Sequence, residues 1–216
     1  MDELICGYFR FQTEQWPTRR EEFESLARSG QTPHTLAIAC CDSRVAPELI
    51  FDCRPGEMFV IRNIANLAPP YAPDSANHGT SAALEFAIRV LKVRQVAIVG
   101  HSGCGGIAAL MNGAPPDAPD FVESWVRIAE PAKRQARLTY PHDAAKALQF
   151  CEYESIRVSL ANLSSFPWIA QNSQLMIRGF HFDIESGVLH QILPRGLQKV
   201  GTEPASRWDP SPRSTP

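Results

Sequence analysis

Two short stretches of the chain carry residue types that do chemistry together. Cys40-Cys41-Asp42-Ser43-Arg44 follows the apolar run Thr35 to Ala39, and Gly100-His101-Ser102-Gly103-Cys104-Gly105-Gly106 follows the run Val96 to Val99. His-x-x-Cys lets an imidazole and a thiolate converge on one ion, and a cysteine from a neighbouring loop supplies a third ligand. Soft sulfur with imidazole suits zinc, and three protein ligands leave one tetrahedral position open, the arrangement of a catalytic rather than a structural site. Spacing alone does not choose between Cys40 and Cys41. Neighbours near a strand end point to opposite faces, so one of them is the ligand. Asp42 and Arg44, at i and i+2, can share a face. An Arg44 that grips Asp42 bidentately would keep the carboxylate ionised as an acceptor, placed to orient a water beside the metal. On a bare surface the same pair would contribute only about 0 to 1 kcal/mol. The glycine-rich loop also suits a phosphate at the N-terminus of a helix beginning near Gly106. No lysine follows it as in a P-loop, however, and Cys104 would then have no role. Cys6, Cys53 and Cys151 read as bystanders.

The elements that must position these residues are legible as alternating patterns. Phe11 to Ser29 reads as one or two helices, with Trp16-Pro17 as a start signal and Gly30 as a stop. Thr35 to Ala39, Met58 to Ile61 and Val96 to Val99 are buried strands by their short apolar runs. Ser81 to Leu91 and Gly106 to Met111 have helical spacing, as do Phe121 to Arg137 and Ala144 to Leu163, with Pro131 breaking the first of that later pair. Leu175 to Phe182 and Val188 to Leu193, joined through Ser186-Gly187, read as a strand and its antiparallel partner. Strands alternating with helices predict an α/β fold. Its mainly parallel central sheet has about four strands plus an antiparallel edge strand, and is flanked by helices, with an N-terminal helical arm over 1–34. In such a sheet both chemical loops lie at the carboxyl edge, where ligands bind. We expect one domain over 1–202, followed by a flexible Pro- and Ser-rich tail over 203–216.

Composition narrows the function classes. The chain has 216 residues, with 21 Lys and Arg against 23 Asp and Glu, a formal charge of −2. That balance leaves no electrostatic footprint for nucleic acid or an anionic membrane surface. A 44% hydrophobic share and 20% charge exclude wholesale disorder. No apolar run approaches the roughly 18 residues of a membrane span. Met1 to Arg10 carries Asp2 and Glu3 with no basic segment ahead of an apolar one, so the expected address is cytoplasmic. Six cysteines in a chain of this size read as metal ligands, chemically active thiols or small hydrophobes rather than a disulfide framework.

Cys40-x-Asp42-x-Arg44 together with His101-x-x-Cys104 resembles the β-class carbonic anhydrases, on the plant-like branch. The resemblance extends through Gly30-Gln31-Thr32-Pro33, Arg62-Asn63-Ile64-Ala65-Asn66, Gly79-Thr80-Ser81-Ala82-Ala83 and Gly100 to Gly106. It implies one zinc per chain on Cys40, His101 and Cys104, and reversible hydration of CO2 to bicarbonate and a proton by zinc-bound hydroxide. Asp42, held by Arg44, would accept the hydroxide's hydrogen. It further implies a homodimer or dimer of dimers in which the N-terminal helices wrap a partner. The substrate pocket would take Gln31 from the partner subunit, Phe59, Ile64 and Phe86 as apolar walls, and Gly103. Two other readings stay open: a CS2 or COS hydrolase on the same zinc site, and a non-catalytic, zinc-stabilised interaction protein. Against the latter stands the Asp42–Arg44 pair, which a structural metal site does not require.

Departures from the family pattern carry information. Phe86 stands where many relatives have Tyr, removing a hydroxyl donor. The bicarbonate-regulated subtype has Trp three residues before the first zinc cysteine and Tyr on the last parallel strand. This chain has Ala37 and Phe182 in those places, so Arg62 lacks both neutral partners for an anion. We therefore expect bicarbonate inhibition to be non-cooperative near neutral pH. Sigmoidal inhibition, or a crystal with bicarbonate on Arg62 away from the metal, would contradict that expectation.

Overall fold

Residues 2–201 are described by the structure, a computed structural model; the tail expected over 203–216 lies outside the described residues. The chain opens with a helical arm. The Asp2 side chain accepts from the Leu4 N–H at 2.9 Å and so caps α1, Glu3–Arg10. A π-helical turn at Phe11–Gln15 leads into α2, Trp16–Ser29, which holds Pro17 in its first turn and ends at Gly30 with φ 78°. The helix thus begins eight residues earlier than Phe11, because Asp2 supplies a cap that Trp16-Pro17 obscured. Phe11, Trp16 and Phe23 cluster on the arm, with Trp16 and Phe23 centroids 5.4 Å apart. No residue of α1 or α2 is buried, and Leu4, Ile5, Tyr8 and Phe9 lie exposed.

Four parallel strands form the middle of the molecule: β1 (Thr35–Cys40), β2 (Met58–Asn63), β3 (Gln95–His101) and β4 (Met176–Phe182), in the spatial order β2-β1-β3-β4. Five of the six β1 residues and six of the seven β3 residues are buried, as strands covered on both faces require. Two antiparallel strands follow, β5 (Leu189–Ile192) and β6 (Leu197–Lys199). The second of these was not foreseen. All three of its residues are exposed, so it has no apolar alternation, and only its pairing with β5 makes it a strand.

Helices fill the connections: α3 (Pro47–Ile50), α4 (Gly79–Glu85, prolonged by a π turn over Phe86–Val90), α5 (Gly105–Asn112), α6 (Val122–Val126), α7 (Glu130–Thr139), α8 (Ala144–Leu163) and α9 (Pro167–Ala170). Pro131 does break the expected run, by standing in the first turn of α7 where its missing N–H needs no partner. Among the described residues no helix is long and apolar enough to cross a membrane.

The packing of α8 on the sheet matters most for the site. Asp143 caps it, accepting from the Lys146 N–H at 2.9 Å. Ile156 then seats against β3 and β4 at two glycines: a Cβ on Gly100 would lie 2.8 Å from Ile156 Cδ1, and one on Gly179 2.6 Å from Ile156 Cγ2. That close approach fixes α8 in height and rotation. Gly179→Ala should accordingly cost about 1 to 3 kcal/mol through overpacking. Urea unfolding monitored by the tryptophans would read it, and an unchanged midpoint would mean that the contact is looser than described.

Candidate metal centre

Register brings the two loops together. β1 and β3 pair in parallel with Ala39 opposite Val99, so Cys40 ends one strand beside the start of the His101 loop on the next. After His101 the chain reverses at Gly103, whose φ of +67° suits glycine, and delivers Cys104 as the N-cap residue of α5. The thiols of Cys40 and Cys104 and a ring nitrogen of His101 lie within 4.8 Å of one another, and all three residues are buried. The two sulfurs are 3.9 Å apart.

The imidazole is already committed on one side. His101 Nδ1 lies 3.0 Å from the Ser102 carbonyl, which can only accept, so Nδ1 carries the proton. Nε2 is then a bare lone pair, fully buried and without a hydrogen-bond partner. A buried nitrogen lone pair facing two sulfurs is costly as it stands and is satisfied by a soft divalent cation, so the residues present fit zinc. The sulfurs are prepared as well. The Cys40 thiol is pulled down, first by the Cys104 S–H that donates to it and with further help from the His101 ring and the N–H groups of Asp42 and Ala65, against the opposing effect of burial. The same contact pushes Cys104 up, while the N–H groups of Gly106 and Ile107 oppose that rise. Cys41 is exposed, and its N–H continues the ladder to the Asn63 carbonyl at 2.9 Å. Of the adjacent pair, Cys40 is the one turned inward.

Asp42 stands beside this group, its Oδ2 3.9 Å from His101 Nε2. Arg44 holds it with a true fork, Nε to Oδ1 at 2.9 Å and Nη2 to Oδ2 at 2.7 Å, while the Arg44 N–H also donates to Oδ1. Those Arg44 bonds, above all the side-chain ones, hold the Asp42 carboxyl well below the usual carboxylate range. Arg44 Nη2 reaches further, to the Gly103 carbonyl at 3.1 Å, and so ties the two loops to each other. Arg62 on β2 donates to the carbonyls of Cys40, Asp42 and Val45 at 2.9, 2.7 and 3.2 Å. It clamps the β1 loop.

The pocket positions are only partly gathered. Phe59 and Phe86 are in contact, with centroids 6.1 Å apart. Ile64 abuts Gly106, where a Cβ would come 2.6 Å from its Cγ2. Both Ile64 and Phe86 remain open to solvent, 40% and 44% exposed. Gln31 lies exposed in the segment between α2 and β1 and is not brought to the Cys–His–Cys group within this chain.

Two supporting residues escaped the sequence reading. Trp125 Nε1 donates to the Ile64 carbonyl at 2.8 Å, steadying a loop whose Ala65 and Asn66 are both left-handed, with φ of 63° and 50°. Glu152, 4% exposed, accepts from the N–H groups of Gly103 and Cys104. A signal for Glu152 existed, because it shares helical spacing with the buried Ser155, Ile156, Ser159 and Leu163 of α8.

A sequence model described as carbonic anhydrase matches residues 35–189, which includes every residue of the Cys–His–Cys group. Over 200 residues the chain is 38% identical to β carbonic anhydrase 3 of Arabidopsis thaliana, spanning 87% of this chain and 74% of that protein. The chain belongs to the β-class carbonic anhydrases. Solved structures of the class agree with the fold just described. The β-carbonic anhydrase CcaA superposes with a TM-score of 0.86 at 31% identity, covering 92% of this chain and 98% of that one. One of two tetrameric β-carbonic anhydrases from Sordaria macrospora gives 0.66 at 27% identity, covering 88% and 92%.

The geometry predicts which thiols matter for metal content. Cys40→Ser and Cys104→Ser should each lose most of the bound metal, whereas Cys41→Ser, Cys53→Ser and Cys151→Ser should keep it. Elemental analysis of the purified variants measures this directly. Full metal in Cys40→Ser with loss in Cys41→Ser would reverse the assignment between neighbours.

Proposed function

We propose that this carbonic anhydrase carries one zinc ion per chain on Cys40, His101 and Cys104, and uses it to interconvert CO2 with bicarbonate and a proton. The observation that carries the metal reading is the buried, partnerless Nε2 of His101 facing two sulfurs 3.9 Å apart. Zinc, when bound, polarises and acidifies a water at its open position. Everything else is work for the chain's own residues.

Asp42 is the acceptor that takes a hydrogen bond from the attacking water and so aims a lone pair at the carbon. Arg44 keeps it an anion. An aspartate whose folded pKa is depressed stays charged above its unfolded value near 4, and loses the charge only as pH falls through the lowered value. Across the neutral range, then, Asp42 is always an acceptor, and the rise of rate with pH belongs to the water. Phe59, Ile64 and Phe86 offer an apolar wall to an uncharged substrate, Gly103 forms the turn that bounds it, and Gln31 is the polar contact contributed by a second subunit.

A homodimer, or a dimer of dimers, fits the arm as well as the pocket. The exposed Leu4, Ile5, Tyr8 and Phe9 form an apolar face that their own chain leaves uncovered among the described residues. Tetramers occur in the Sordaria relatives. We take residues 1–202 as one catalytic unit with 1–34 as its arm. The six free cysteines, three of them spent on one buried group, favour the reducing cytoplasm as its place of work.

Asp42→Asn tests the reading most directly. Asn is nearly the same size, yet it loses the charge and presents a donor beside its acceptor. Zinc content and fold should survive while kcat/KM falls by about 100-fold or more, the scale of a lost proton-handling group. Wild-type activity should climb with pH through the range above about 7, since the attacking water must first lose its proton. Stopped-flow pH profiles of both proteins, with zinc quantified, give the answer. A normal profile in zinc-replete Asp42→Asn would remove Asp42 from the reaction.

A further inference from the structure

Against the His101–Cys104 loop lies a buried polar cluster that the reaction as proposed does not use. Glu152 comes from the middle of α8 and is 4% exposed; His181, on β4, is 1% exposed. One carboxylate oxygen, Oε1, accepts from the Gly103 N–H at 2.8 Å and from the Cys104 N–H at 3.2 Å. The other, Oε2, lies 3.2 Å from His181 Nε2, and the ring of His181 packs edge-on against Tyr153 at a centroid distance of 4.6 Å. Consecutive backbone N–H groups around a left-handed residue form a concavity that takes an anion, and here the chain supplies the anion itself.

Gly103 is therefore held through both of its backbone groups. Its N–H is held by Glu152, and its carbonyl by the same Arg44 Nη2 that forks onto Asp42. Cys104, next in the chain, has its N–H on Glu152 and its sulfur in the Cys–His–Cys group. Rotation of that one loop would move a zinc ligand and the partner of Asp42 together. We infer that Glu152, oriented by His181, is a positioning residue that sets the His101–Cys104 loop and, through Gly103 and Arg44, the place of Asp42. The inference rests on the zinc reading above and deepens it: the site's geometry is fixed by a carboxylate that touches neither metal nor substrate.

Its sequence distance explains why no motif contains it. Glu152 is 48 residues beyond Cys104 and reaches the loop only because Ile156, one turn further along α8, seats against Gly100 and Gly179.

The experiment follows zinc release from the holoenzyme to a chelator, together with the visible spectrum of the cobalt-substituted protein. Glu152→Ala should release zinc about tenfold or more faster, the scale for losing an outer partner of a metal ligand. Its cobalt spectrum should shift, and kcat should fall more than KM changes. Glu152→Gln keeps an oxygen for both N–H groups and should recover most of the wild-type retention. His181→Phe preserves the packing on Tyr153 while freeing Oε2, and it should speed release by a smaller factor; it also serves if Glu152→Ala does not fold. Cys151→Ser, next door in the same buried helix face, should lower thermal stability without speeding release. Wild-type release and spectrum in folded Glu152→Ala, or in His181→Phe where Glu152→Ala is unfolded, would overturn the inference. So would Glu152→Gln as leaky as Glu152→Ala, or Cys151→Ser as leaky as either. A wild-type protein that holds no zinc would instead overturn the metal reading, and this inference with it.

Discussion

Two sulfurs 3.9 Å apart in a buried place set the terms for the rest of the molecule. Were both anionic with nothing between them, their repulsion would be about 4 kcal/mol at an effective dielectric of 20. Their contact pulls the Cys40 thiol down and pushes Cys104 up. A divalent cation reverses the sign of the problem, since each thiolate then gains by approaching. The surroundings are arranged for that second state: backbone N–H groups of Asp42, Ala65, Gly106 and Ile107 are directed at the sulfurs, and two of these belong to the first turn of α5.

Such a cluster must be assembled from segments that have few degrees of freedom left. Strands β1 and β3 end in register, which places Cys40 and His101 without any help from loops. What remains adjustable is the loop after each strand, and each is tied by an internal charge. Arg62 spends three hydrogen bonds on carbonyls of the β1 loop, at Cys40, Asp42 and Val45. Glu152 spends two acceptances on N–H groups of the β3 loop. A cation on the carbonyls and an anion on the amides is the pairing that backbone dipoles favour. It also engages Arg62 with its own chain.

The balance of what the sequence disclosed follows the same division. The residues proposed to act on a ligand were visible because their types are unusual and their spacing is short: His101 and Cys104 three apart, Asp42 and Arg44 two apart. Ala144 to Leu163 was legible in full, since the chain offers a cap at Asp143 and no proline or glycine inside. The choice of Cys40 over Cys41 was not readable from spacing, because it depends on which way the last residue of β1 turns. Glu152 and Trp125 were missed for a different reason. Their partners are backbone groups of Gly103, Cys104 and Ile64, which carry no side-chain signature, and the contacts span 48 to 61 residues. The strand β6 was invisible because its three exposed residues owe their conformation to pairing with β5 alone.

The chain is well determined around the sulfurs and undetermined at the rim. Cys40, His101 and Cys104 are at most 4% exposed, while Ile64 and Phe86 are 40% and 44% exposed. If Ile64 and Phe86 wall the pocket as proposed, a surface that wet would hold water as readily as CO2. The same chain has further apolar surface left uncovered among the described residues: α1 and α2 bury no residue, and Leu4 is 82% exposed and Phe9 53% exposed. Isolated exposed hydrophobes need no explanation, but four on one short helix form a patch that association would bury. In the proposed assembly, burying the arm and drying the pocket are one event, because the segment that follows α2 also carries Gln31. Activity would then depend on chain concentration in the dilute limit, through the completeness of the pocket rather than through the metal group, which each chain builds alone.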